Sequence, residues 1–180
     1  MFLKTVKKGA VIFFVLISVC LTTFTAAAAQ YGAAAVRENQ KYTPAQMLTF
    51  ALEDEYLAGA RYSAVVEKFG NTRPFARFVA AEKRHAALLK PLMAKYNVPV
   101  PEDRSASFVV VPATLMAAVK TSAEAEKNTI RMYDVFIKQQ LPDDVKLVFS
   151  LLRSASLRHL QAFERNLARL DGLPVVRRKA

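Results

Sequence analysis

An all-α fold, an antiparallel four-helix bundle, is what the chain predicts, and three observations carry that reading. Apolar residues recur at alternating steps of four and three along four long segments. Proline, glycine and asparagine separate those segments, and no stretch makes a convincing strand. Each apolar stripe also holds a carboxylate or an imidazole near its middle, which sets one polar level across the helices.

Residues 1–29 read as a signal peptide. Lys4, Lys7 and Lys8 precede an apolar run from Ala10 to Cys20, and Ala27-x-Ala29 fits cleavage before Gln30. The run is shorter than the roughly 20 residues that cross a bilayer, so export to a periplasmic or extracellular space is expected rather than a permanent anchor. The one cysteine, Cys20, lies inside this segment, so disulfides, iron–sulfur clusters and thiolate zinc sites are excluded from the mature chain. Without the three leading lysines, 23 basic residues face 15 acids, a net charge of about +8. Residues 30–42, Ala-rich and polar, read as a flexible leader, residues 43–172 as the bundle, and residues 173–180 as a basic C-terminal tail.

The first helix starts at Thr43-Pro44, an N-cap followed by proline at the first helical position. Its stripe is Leu48, Leu52, Glu55, Gly59, Tyr62, Val66 and Phe69, and Gly70-Asn71 ends it. The second begins near Thr72, with Pro74 in its first turn, and runs through Phe75, Phe78, Glu82, His85, Leu89, Leu92 and Tyr96. Pro91 is a site for a kink, and Val98-Pro99-Val100-Pro101 stops the helix. A connection to Pro112 follows, long enough to cross from one end of a bundle to the other. The third helix is expected from about Ala113 to Gln140, with the stripe Leu115, Val119, Ser122, Glu126, Ile130, Tyr133 and Ile137. Leu141-Pro142-Asp143 opens the fourth, whose stripe runs from Val145 through Leu152, Ser156, His159 and Phe163 to Leu170, before Gly172 and Pro174.

The polar residues inside the stripes are Glu55, Glu82, His85, Glu126 and His159, and they are candidate metal ligands because buried charges pair or bind metal. Glu82 and His85, three apart, reach one point from one helix face. Glu53 and Glu124 lie two positions from Glu55 and Glu126, turned by about 200° on a helix of 3.6 residues per turn, and are expected to face water. The pattern repeats: Glu55 precedes Tyr62 by seven residues as Glu126 precedes Tyr133, and Glu82-x-x-His85 answers to Ser156-x-x-His159. Two helical hairpins about a pseudo-twofold axis would bring all of these together.

These residues resemble the ferritin-like di-iron carboxylate proteins, in which two helices give a Glu each and two give Glu-x-x-His. Glu55, Ala58, Arg61 and Tyr62 are similar to the first helix of rubrerythrins. A nearer resemblance is to the ferritin-like family catalogued as domain of unknown function 2202, through Glu53 to Ala58, Ala81 to His85, Glu126 with Ile130, and Leu151 to Phe163. Serine stands three residues before the last histidine in that family too. The resemblance spans roughly Pro44 to Leu170 and implies one or two iron ions held by Glu55, Glu82, His85, Glu126 and His159. It assigns Glu82 and Glu126 as bridging ligands, the others as terminal, and Fe(II) oxidation or peroxide removal as the activity, with oxygen or peroxide as acceptor. Tyr62 and Tyr133 are candidates to bond a ligand or relay an electron. Carboxylate and imidazole also suit manganese or zinc.

A second reading is an exported helical interaction module with a structural or vestigial metal and no turnover, because Ser156 replaces a carboxylate. A third, envelope or nucleic-acid binding through the basic surface, predicts salt-dependent retention on polyanions. The expected partners are metal ions and oxygen or peroxide, with a homodimer and contact with an anionic envelope surface also compatible, and no specific nucleic acid.

Overall fold

A computed structural model of the protein describes residues 31–172; the expected signal peptide, with Cys20, and the expected basic tail lie outside the described residues. Within them the chain forms α1 (Pro44–Phe69), α2 (Phe75–Lys95), α3 (Leu115–Ile137) and α4 (Asp143–Leu170), with 3-10 turns at Gly32–Ala35 and Ser105–Phe108. The described residues contain no strand, and the four helices make the bundle that the apolar periodicity predicts.

Local chemistry sets the helix ends. The backbone N–H of Thr43 donates to Gln46 Oε1 at 2.9 Å, and the N–H of Gln46 donates back to Thr43 Oγ1 at 3.2 Å, a reciprocal capping box. Thr114 caps α3 by accepting from the N–H of Ala117. At the end of α2, Asn97 adopts φ 53° and Val98 N–H donates to Met93 O at 2.8 Å, the closing pattern of a Schellman motif. Some boundaries differ from expectation. Helix α2 starts at Phe75 rather than near Thr72, continues through Pro91, and α3 is shorter at both ends than the expected span from Ala113 to Gln140, its ends coinciding with the first and last residues of its apolar stripe. End residues fray because their backbone groups lack partners inside the helix.

Hydrogen bonds at the four ends fix the helix directions. Gln139, just after α3, bonds the backbone of Gln40 and Tyr42, just before α1. Lys68, at the end of α1, donates to Pro112 O ahead of α3, so α1 and α3 run antiparallel. Lys95 and Tyr96, at the end of α2, both donate to Asp144 at the start of α4, at 2.7 Å each. Asn166 late in α4 donates to Arg73 O before α2. With α1–α2 and α3–α4 as hairpins, every neighbouring pair is antiparallel. Helices α2 and α3 are then parallel, and residues 96–114 must travel the length of the bundle, about 35–40 Å for helices of this size.

The apolar core falls into two clusters. One gathers Met47, Leu48, Leu52, Leu89, Met93, Tyr133, Phe136 and Phe149; the other gathers Tyr62, Val65, Phe75, Phe78, Val119 and Phe163. The buried polar residues Glu55, Glu82, Glu126 and His159 lie on the same helices at the level between them.

Residues 31–42, expected as a flexible leader, are docked. Tyr31 is buried and stacks on Phe108 of the crossover, ring centroids 4.5 Å apart. Gly32 N–H donates to Glu53 Oε2 at 3.1 Å, and Ala33 N–H to Asp54 Oδ1 at 2.9 Å. Glu53 is therefore buried, contrary to the expectation that it faces water, whereas Glu124 is exposed. Helical phase turned Glu53 correctly away from Glu55, but the leader covers that face.

Candidate metal centre

Helix α1 brings Glu55, α2 brings Glu82 and His85, α3 brings Glu126 and α4 brings His159, so all five expected ligand positions converge. They form two groups, Glu55–Glu82–His85 and Glu82–Glu126–His159, each with ligand atoms within 4.8 Å of one another. Either group could hold a metal ion. Glu82 belongs to both: its Oε2 is 2.6 Å from His85 Nδ1, and its Oε1 is 3.0 Å from His159 Nδ1. Glu55 Oε2 lies 3.3 Å from His85 Nδ1, and Glu126 Oε1 lies 3.2 Å from His159 Nδ1. Only Glu82 stands between the groups. Glu126 belongs to one of them, as Glu55 does.

The two tyrosines cross over. Tyr133 on α3 donates to Glu55 Oε1 at 2.7 Å, while Tyr62 on α1 donates to Glu126 Oε1. Each carboxylate thus receives a hydroxyl from the helix that supplies the other, which is the pseudo-twofold relation that the spacing of seven implies in an antiparallel pair. Burial, reinforced by the neighbouring carboxylates, pushes both phenols well above their usual range, so both hydroxyls stay protonated donors. The His159 ring stacks on Phe78, with centroids 3.8 Å apart, which holds the imidazole plane.

Burial and pairing divide the charges. Burial raises Glu55 to about 8, a shift that the His85 contact offsets only in part. Burial acts on Glu82 in the same direction, yet bonds from His159 and His85 outweigh it and hold this carboxylate at about 2. Burial disfavours charge on the imidazoles too, but bonds to Glu55 and Glu82 lift His85 to about 10, and bonds to Glu126 and Glu82 lift His159 to about 9. Protons therefore occupy the imidazoles that a metal would replace. The donor set of carboxylate and imidazole fits a divalent first-row ion, and Glu82 Oε1, buried 3.0 Å from His159 Nδ1 without a well-aligned hydrogen bond, is an oxygen that such an ion could take.

Ser156 is buried as its stripe predicts. In the sequence repeat it is the counterpart of Glu82, so the α4 half of the repeat brings a hydroxyl where the α2 half brings a carboxylate. One polar element escaped the sequence reading. Asp54, buried, accepts from Thr129 Oγ1 at 2.6 Å as well as from Ala33 N–H, tying α1, α3 and the leader beside the site. Its sequence signal was weak, since an acid next to a seam residue on a helix faces a flank whose cover is set elsewhere.

No protein-family model and no curated protein sequence matches the chain. Among solved structures it is similar to the hypothetical protein MJ0754 from Methanococcus jannaschii DSM 2661, at 22% identity and TM-score 0.64, covering 79% of this chain and 92% of that one. That likeness defines a shared fold. The fold and site together define a four-helix bundle with a buried carboxylate–histidine centre.

Proposed function

We propose that the chain is an exported, ferritin-like metal protein that binds one or two ions, iron before manganese or zinc, and serves Fe(II) oxidation or peroxide removal. The carrying observation is Glu82, one carboxylate whose two oxygens face two separate Glu–His sets. Glu55 and His85 would hold one ion, Glu126 and His159 the other, with Glu82 shared. Iron so held supplies one-electron steps toward oxygen or peroxide. Tyr133 and Tyr62 orient the outer carboxylates through one oxygen each. The flanking apolar clusters keep bulk water from the buried carboxylates. Residues 1–29 support export, and the mature chain's lack of cysteine means that a peroxidase cycle draws electrons from an external donor.

The absence of a second shared carboxylate favours one other reading, a structural or vestigial metal site in a non-catalytic interaction module. Anaerobic loading of the metal-free protein with Fe(II), followed by oxygen or peroxide, separates the two. The oxidative reading expects stoichiometric iron and ferric formation faster than in buffer, both lost in Glu82→Gln. A folded wild-type protein that holds one ion and never oxidises it, with a second ion taken up only by Ser156→Glu, would establish the structural reading.

A further inference from the structure

The face of the bundle between α2 and α4 carries a second feature that the metal reading does not use. A groove of about 490 Å³ runs there, with His85 and His159 among the residues that line it. Arg77 and Arg84 line it from α2, Arg158 and Arg165 from α4, each pair two helical turns apart. No carboxylate lines it. Among the described residues the arginine ion pair is Arg153 with Asp134, on another face, so none of these four exposed guanidinium groups is paired with a carboxylate within 4 Å. The small side chains of Ala81, Ala155 and Ala162 leave the groove open between the two rows.

Four unpaired cations facing one another across a cleft repel, and a cleft with low-dielectric walls focuses their field on whatever enters it. Guanidinium forks match tetrahedral oxyanions, which they grip through paired N–H donors. We propose that this groove binds a phosphate-class oxyanion, free or carried on a headgroup, held by Arg77, Arg84, Arg158 and Arg165 beside His85 and His159. Recognition needs the arginine rows and not a bound metal, so it stands apart from the oxidative reading. It would place an anion at the side of the centre where the His85 and His159 rings border the groove.

The full chain, stripped of metal on a chelating resin and kept at low salt, is titrated with inorganic phosphate by calorimetry. In parallel it is mixed with vesicles of phosphatidylglycerol or of phosphatidylcholine. Saturable one-to-one phosphate binding is expected, weakened at least tenfold in Arg84→Gln/Arg158→Gln. The charge-matched Arg131→Gln/Lys138→Gln, on α3 and just beyond it, is expected to change binding less than threefold. Binding confined to phosphatidylglycerol vesicles with the same arginine dependence identifies a headgroup as the source and upholds the site. No saturable binding in either arm, or an equal loss in both double variants, overturns it. Circular dichroism confirms that each variant is folded before it is scored.

Discussion

Three carboxyls and two imidazoles share a space closed by tyrosines, and their protonation is coupled to folding. In the metal-free protein His85 and His159 are lifted to about 10 and about 9, above the ordinary 6.5. A raised imidazole contributes stability that is whole below its unfolded value and is lost as pH rises through the folded one. Burial of Glu55, raised to about 8, acts in the same direction, since its ionisation is resisted in the folded state. Glu82, held at about 2, adds stability above 4.5 that disappears as pH falls toward 2. The metal-free protein is therefore expected to be most stable near pH 4.5, with a thermal midpoint that falls from there as Glu55 ionises and falls further between pH 6.5 and 10. Melts followed by circular dichroism test this, and a midpoint that climbs over that alkaline range contradicts the assignment of the protons.

Between the helices, backbone space decides what can be changed. Gly32 has φ +57°, and a Cβ there would meet Asp54 at 2.8–2.9 Å, touching its backbone as well as its carboxylate. Gly32→Ala should undock the 3-10 turn from Glu53 and Asp54, at a cost of about 1–3 kcal/mol. Urea denaturation measures it, and a variant within 0.5 kcal/mol of wild type (roughly the noise of surface substitutions) would show that the docked turn is dispensable. Gly59 is the contrasting case. Its φ is ordinary, and an added Cβ would sit 3.5 Å from Glu82 Cβ, a normal contact on the α1–α2 seam. The first glycine is needed for backbone shape and the second only for modest space.

The centre takes one residue or two from every helix, so an ion bound there would tie the whole bundle together. Binding to the folded state alone stabilises by RT ln(1 + [L]/Kd), roughly 2.7 kcal/mol at a hundredfold excess over Kd. A domain of this length should then melt several degrees higher with Mn(II) or Fe(II) present. That increment is expected to vanish in Glu82→Gln, because one substitution removes the shared negative charge from both groups and turns one of the two oxygen donors into an NH2. Differential scanning calorimetry reads the difference, and an undiminished shift in the variant places the ion elsewhere. The dependence on all four helices also explains why the crossover matters. Parallel α2 and α3 demand a connection that spans the bundle, and its Phe108 in turn covers Tyr31.

Periodicity in the chain determined the four helices, the two hairpins and the five residues at the polar level, because apolar spacing on a helix maps directly onto a face. The spacing of seven from Glu55 to Tyr62 and from Glu126 to Tyr133 marked the repeat, but the crosswise hydrogen bonds between them came only from the packing of α1 against α3. Tertiary structure alone decided which oxygens meet. It set Glu82 in both groups, and it buried Glu53 and Asp54 beneath a leader whose composition reads as free chain. It also placed arginines from two distant segments along one groove. A helix face can be read from local spacing, but what covers that face depends on packing between residues far apart in the chain, where one rotation or one docked turn changes a solvated acid into a buried one.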